Sequence, residues 1–385
     1  MLNMNNALST FLRTGQNLPK PSSSRWVVGN EAGDLDSLAC AIGYAYFSHL
    51  LHPQEPRWTP VIQTLRQDLA LRPENLYVLH KCHIQSEDLF CLNDVPKLNS
   101  QSVVTLVDHN KATNVFADAK VERIIDHHMD EGVHNEATER IMMRPDQAGS
   151  CSSILTTHFA SKLSKDCVVP TALADLLLSA LLIDTDNFSE TVGRAKEVDQ
   201  AARAFLAPRS NYVSSEAQSK YYQEISQAQR DISNLSIAHK LKRDYKQFEL
   251  PGQNNTTWRI GASSTVEPIK VLAEHGTILL QELAAFANER QLDVLVILAA
   301  FRDEQQNNHR EVLIYSSNPD TQFASTLANT HDYQVDLVPL HQPGLDNVCK
   351  EQLCKAYTQR DPNVTRKQFA PALRQVCAQL SKSRL

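Results

Sequence analysis

Trp26-Val27-Val28-Gly29-Asn30-Glu31-Ala32-Gly33-Asp34-Leu35-Asp36-Ser37 is the stretch that decides the fold. An apolar run breaks into a loop carrying two acids, and the apolar stretch 38–51 follows at once. That order predicts a buried strand, a short loop and a helix. Asp34 and Asp36 then stand at the C-terminal end of the strand, where open α/β sheets place their ligands. Three later apolar runs end in the same way, in Val107-Asp108-His109-Asn110, Ile125-Asp126-His127-His128 and Ile183-Asp184-Thr185-Asp186. Carboxylates and imidazoles gathered at strand ends are a donor set for divalent metal.

Outward from this stretch, short apolar runs at 76–79, 103–107 and 121–125 read as strands, and 151–163 and 171–182 read as helices. Buried strands that each end in a polar loop predict a doubly wound, mainly parallel sheet. The span 206–235 is polar, with Tyr212, Tyr221, Tyr222 and Ile225 at helix-like intervals, and reads as a helical linker. Strands are expected again at 246–250, 258–262, 294–301 and 312–315. A long helix is expected over 268–289, opened by proline, and a last helix over 367–380. The chain thus reads as two α/β domains, 1–205 and a smaller 236–385, joined by 206–235, with an active site expected in the cleft between them.

The 385 residues carry a formal charge of -6, with 42% hydrophobic and 21% charged residues. This composition is that of an ordinary globular protein and argues against nucleic-acid binding by bulk positive charge. Eight cysteines with no Cys-x-x-Cys pair read as reduced thiols in a cytosol-like compartment. No apolar run is long enough to span a bilayer, so no membrane association is expected. Residues before Glu31 include Arg13, Lys20 and Arg25 but no acid. They read as a short surface helix over 7–13 and a Pro/Ser linker, with a mitochondrial transit peptide as the rival reading.

If Asp34, Asp36, Asp108 and Asp184 converge, they cannot all stay ionised unaided. Two carboxylates about 4 Å apart repel by about 4 kcal/mol at an effective dielectric near 20. Two dications balance four carboxylates, and one bridging carboxylate can hold them about 3.5–4 Å apart. Each motif also has a plainer reading. Asp34 with Ser37 is a good helix cap, Asp184-Thr185-Asp186 a turn, Asp126-His127-His128 a solvated loop, and Gly149-Ser150-Cys151-Ser152-Ser153 either a cap or a donor of N–H groups to phosphate.

Gly29-Asn30, Asp34-x-Asp36-Ser37, Val-Asp108-His109-Asn110, Ile-Asp126-His127-His128 and Ile-Asp184-Thr185, in this order, resemble the DHH phosphoesterase superfamily. The second half, with Asp244-Tyr245-Lys246-Gln247-Phe248, His309-Arg310-Glu311 and Thr365-Arg366-Lys367-Gln368-Phe369, looks like the C-terminal domain shared by family II pyrophosphatases and fungal exopolyphosphatases. The latter are the better match. The resemblance implies that Asp34 and Asp108 bind one metal and that Asp36, Asp108, His127 and Asp184 bind a second, with Asp108 as bridge. It turns His109 and His128 towards substrate phosphate as catalytic groups beside Asp108. Asn30, His128, Lys246, His309, Arg310, Arg366 and Lys367 become substrate-binding residues. Pyrophosphatases of the family have histidine where this chain has Asn30, which implies magnesium, with manganese or cobalt as alternatives. The second departure is Gln368, where pyrophosphatases often have lysine.

The expectation is a cytoplasmic, monomeric exopolyphosphatase that uses two divalent ions to release orthophosphate from linear polyphosphate. The rivals are a pyrophosphatase, a prune-like hydrolase of short polyphosphates or cyclic nucleotides, a DHH single-strand exonuclease, and a scaffold that has lost its metals.

Overall fold

The computed structural model describes residues 7–16, 25–164, 167–305, 307–318, 322–330, 335–341, 345, 353–362, 364 and 366–380; Arg366, Lys367 and Gln368 are described as backbone only. The Pro/Ser linker reading, Cys349 and Thr365 lie outside the described residues. The chain divides into two compact units, 1–231 and 232–385.

The first unit contains α1 (Ala7–Gln16), β1 (Arg25–Val28), α2 (Leu35–Leu51), β2 (Trp58–Ile62), α3 (Pro73–Lys81), β3 (Phe90–Cys91), β4 (Val103–Val107), β5 (Lys120–Asp126) and β6 (Glu139–Met142). Then come α4 (Cys151–Ala160), α5 (Thr171–Asp184), α6 (Glu197–Leu206) and α7 (Ser215–Arg230). The strands make one parallel sheet in the order β3-β2-β1-β4-β5-β6. From β1 the chain runs outward to β2, and β4 returns to the other side of β1. The loops after β1 and β4 therefore part company at a topological switch point, which opens the sheet's C-terminal edge to a ligand.

Apolar composition accounts for this layering. Trp26, Val27 and Val28 are fully buried, and α2 is buried along nearly its whole length. Gly43 lets α2 meet α4 and α5: a Cβ there would stand 2.9 Å from a Leu177 methyl and 3.2 Å from one of Leu155.

Several segments differ from the sequence reading. Residues 76–79 are helical, because Pro73 opens α3 at a position where its missing N–H costs nothing. The helix expected on the surface at 7–13 buries Leu8, Phe11 and Leu12 in the first unit's core, and Arg13 pairs with Asp88 at 3.2 Å. The span read as a linker, 206–235, is mostly domain: α7 packs on α3 and α5, with Tyr221 and Ile225 fully buried. Their i, i+4 spacing is a core-facing stripe, and the division between units falls at Asp231.

The second unit contains α8 (Ile237–Arg243), β7 (Tyr245–Pro251), β8 (Thr257–Thr265), α9 (Ile269–Ala273), α10 (Thr277–Glu289), β9 (Val294–Arg302), β10 (Asn308–Ser316), α11 (Phe323–Ala328), β11 (Leu337–Pro339), β12 (Cys354–Gln359) and α12 (Arg366–Gln379). Its mixed sheet has the order β11-β12-β10-β9-β8-β7, with only β8 and β9 parallel. One apolar cluster joins the sheet to α11 and α12, and another joins it to α8, α9 and α10. The long helix expected over 268–289 breaks at Gly276, whose φ of 57° and ψ of -129° only glycine adopts readily.

Candidate metal centre

Asp34 is the N-cap of α2, its Oδ1 accepting from Ser37 N at 3.0 Å, so the plain cap reading is correct for one of its oxygens. Close approach of the β1 end to α2 requires Gly29, where a Cβ would lie 2.9 Å from Ser37. Asp36 sits in the first turn of α2, 4% exposed, and the N-terminus of α4 grips it. Cys151 N donates to Oδ2 at 2.7 Å; Ser152 N and Ser150 Oγ donate to Oδ1 at 2.9 and 3.0 Å. The anion site of that helix is thus filled by the protein's own carboxylate. Ser150 is also its N-cap.

Asp108 follows β4 with φ at 63°, left-handed backbone that Asp tolerates better than most side chains. Its Oδ2 accepts from Asn30 Nδ2 and from Ser37 Oγ, each at 2.7 Å. Its Oδ1 lies 3.2 Å from His127 Nε2 and 3.7 Å from His128 Nδ1, and these three groups form a candidate metal-holding cluster. His127 Nε2 also lies 3.9 Å from Asp36 Oδ2. His128 is already engaged, its Nδ1 2.8 Å from Asp126 Oδ1, so His127 is the freer ligand. Asp184 closes α5, with Oδ2 buried and without a hydrogen-bond partner. Three successive left-handed residues, Asp186, Asn187 and Phe188, then turn the chain away.

The electrostatics are those of acids pressed together. Burial, and next the charge of Asp36, push Asp108 up to about 7. Burial and Asp36 likewise raise Asp184 well above the carboxylate range. Burial pulls His127 down, but its bond to Asp108 and the charges of Asp36 and Asp108 prevail and place it at about 9. Protons relieve the repulsion here, and a divalent cation does the same without them. Asp108 Oδ1 faces only the imidazoles of His127 and His128, and Asp184 Oδ2 is a buried oxygen that accepts from no donor. Hard oxygens beside one imidazole nitrogen fit such an ion.

Two histidines take different roles. Burial lowers His109; its Nδ1 lies 3.0 Å from Val107 O and its Nε2 is buried without a partner. The hydrogen bond to Asp126 raises His128, whose side chain is 52% exposed. Asp126, fully buried, is kept low despite burial by bonds from His128 and from Asn110 Nδ2, the latter at 2.6 Å. From sequence Ser37 had only a capping role beside Asp34, and Asp126 had no task at the site; the signal for both was adjacency to the expected ligands.

In the second unit, Lys246 is exposed on the edge strand β7. His309 and Arg310 are consecutive on β10 and so point to opposite faces. His309 bonds Asp303 at 2.8 Å, and Arg310 Nε bonds Pro362 O at 2.5 Å. Arg366 and Lys367 open α12, and their side chains lie outside the described residues.

Residues 25–181 match the DHH family, N-terminal domain, and residues 223–376 match the DHHA2 domain. The chain belongs to the DHH family. It is 30% identical to a candidate exopolyphosphatase of Schizosaccharomyces pombe over 256 residues, 63% of this chain and 64% of that protein. It is 24% identical to exopolyphosphatase PRUNE1 of Homo sapiens over 91% of this chain and 74% of that one. A candidate manganese-dependent inorganic pyrophosphatase of Streptococcus agalactiae is 25% identical over 80% of this chain and 92% of its own length. The chain thus spans just under two thirds of the fission yeast relative. Among solved structures, a candidate family II inorganic pyrophosphatase of Methanococcus jannaschii shares the fold at a TM-score of 0.51 and 21% identity, covering 92% of this chain and 99% of that one. Among the described residues, no helix is long and apolar enough to cross a membrane.

Proposed function

We propose that the protein is an exopolyphosphatase that hydrolyses the terminal phosphoanhydride bond of linear polyphosphate and releases orthophosphate. The observation that carries this over a pyrophosphatase is the role of Asn30. Its amide nitrogen donates to Asp108 Oδ2 at 2.7 Å and its oxygen accepts from Ala32 N at 2.9 Å, so it orients a carboxylate and presents no ring nitrogen to a metal. The likeness to the fission yeast protein and to human PRUNE1 supports the same reading.

Asp34, Asp36, Asp108, His127 and Asp184 would hold two divalent ions, magnesium first, with Asp108 shared. Such ions acidify water and neutralise phosphate oxygens. The chain's own residues do the rest. The α4 N-terminus and Ser37 fix the carboxylates; Asp126 orients His128 and favours its charged form, which can donate to a phosphate oxygen; His109, lowered by burial, offers an accepting nitrogen. Lys246, Arg310, Arg366 and Lys367 of the second unit would supply positive charge to the phosphate chain. His309, paired with Asp303 on the other face of β10, is the weaker candidate.

The test is orthophosphate release with magnesium from long-chain polyphosphate, tripolyphosphate and pyrophosphate. Release from the long chain with little from pyrophosphate, lost in Asp108→Ala, supports the proposal. Turnover confined to pyrophosphate moves the chain to the pyrophosphatase branch, and turnover confined to tripolyphosphate to the prune-like one.

A further inference from the structure

We propose that the first unit carries a second phosphate site, remote from the acidic centre, in a cavity at the C-terminal end of α2. The class of ligand rests on the polyphosphate reading above; the site itself rests on the cavity. It measures about 160 Å³, and Ser48, His49, His52, Glu55, Arg57 and Arg123 are among its lining residues. Asp34 caps one end of α2 and this cavity opens at the other, so 17 helical residues, about 25 Å at 1.5 Å per residue, separate them. No phosphate group held here touches the reacting atoms.

The charge of Arg57 favours an anion. Glu55 is the cavity's carboxylate, and it is engaged by Arg25 Nη1 at 2.9 Å and faced by His52 Nδ1 at 3.6 Å. Arg57 has no carboxylate partner among the described residues. It donates to Thr14 Oγ1 at 3.0 Å, lies 5.0 Å over the Phe11 ring, and approaches His49 Nε2 at 3.5 Å. Arg123 donates to Tyr44 Oη at 2.9 Å, and its charge is balanced by Glu122 and Glu139, each 3.7 Å from its Nε. Arg57 is therefore the guanidinium group at the cavity whose charge no carboxylate matches among the described residues.

The wall also has neutral polar groups. Ser48, 7% exposed, lies against the Tyr44 hydroxyl, and His49 Nδ1 is buried without a hydrogen-bond partner. Burial, then Arg57, lowers His49, so it is neutral near pH 7 and has one ring proton to give. Hydroxyl, imidazole and guanidinium can all donate, which is what phosphate oxygens require. The carbonyl end of α2 opposes an anion, but His52 N already caps Ser48 O at 2.9 Å.

The test is calorimetric titration of the full chain with inorganic phosphate in EDTA, which keeps the acidic centre free of metal. One phosphate per chain is expected in the wild type and in Asp108→Ala. In Arg57→Gln affinity should fall about tenfold or more, and Arg57→Lys should recover part of it. No uptake in EDTA, or equal affinity in Arg57→Gln, overturns the site. Tripolyphosphate binding more tightly than orthophosphate assigns the cavity to a distant part of the substrate chain; equal affinity assigns it to the released product. If every polyphosphate resists hydrolysis while binding in EDTA survives, the proposed activity falls and this site stands.

Discussion

The acidic side chains of the first unit and the basic ones of the second are held in opposite ways. Asp36 accepts from three donors at the start of α4, and Asp108 from Asn30 and Ser37, both at the C-terminal edge of a parallel sheet covered by helices. Lys246 stands exposed on an edge strand, and Arg310 is tied by one bond to a backbone carbonyl. Carboxylates that must not relax apart need rigid second partners. Cations that meet a long flexible polyanion need only reach it. Substitutions in the first set should therefore stop the reaction, and those in the second should weaken substrate capture.

The largest expected effect comes from Asp108→Ala, which removes the carboxylate proposed to be shared by two ions. Turnover on polyphosphate should fall by about 10³-fold or more, with loss of metal affinity by calorimetry. Retained metal binding would break the assignment of ligands. Asp126→Asn should cost about 10 to 100-fold in kcat by releasing His128, with metal stoichiometry unchanged. Lys246→Gln should raise KM for long chains by several-fold to about tenfold while kcat holds. An unchanged KM would show that Lys246 does not meet substrate.

A subtler effect is expected from pH. In the metal-free protein Asp108 sits at about 7 and His127 at about 9, and both must lose protons to bind a cation. Metal affinity should rise as pH rises through 7 towards 9, with proton release visible when calorimetry is repeated in buffers of different ionisation heat. Stability has a linked sign. Both groups have folded values above their unfolded ones of 3.8 and 6.5, so the stability they lend is full below those values and is lost as pH rises through 7 and 9. The rise in Tm on adding magnesium should therefore widen as pH increases; a gap that narrows would contradict the cluster's charge state.

Much of this was legible in the chain because the site is built from local motifs. The strand, loop and helix around Asp34 and Asp36 follow from 12 consecutive residues, and the switch point brings Asp108 alongside. The grip of α4 on Asp36 joins residues more than a hundred positions apart, and no spacing rule announces it. Burial of α1 and α7 was missed for a related reason. Each shows only a thin apolar stripe, and whether a stripe meets a core depends on the partner surface. The break at Gly276 shows the reverse, a local signal overridden in the reading by the apolar residues around it.

The left-handed backbone at Asp108 also limits how such a chain can lose its activity over time. Only Asn and Gly take that conformation as readily, whereas a β-branched residue would strain the end of β4. A descendant retired from catalysis but kept as a binding protein should carry Asn or Gly at this position. One carrying Val or Ile there would be losing its fold along with its chemistry.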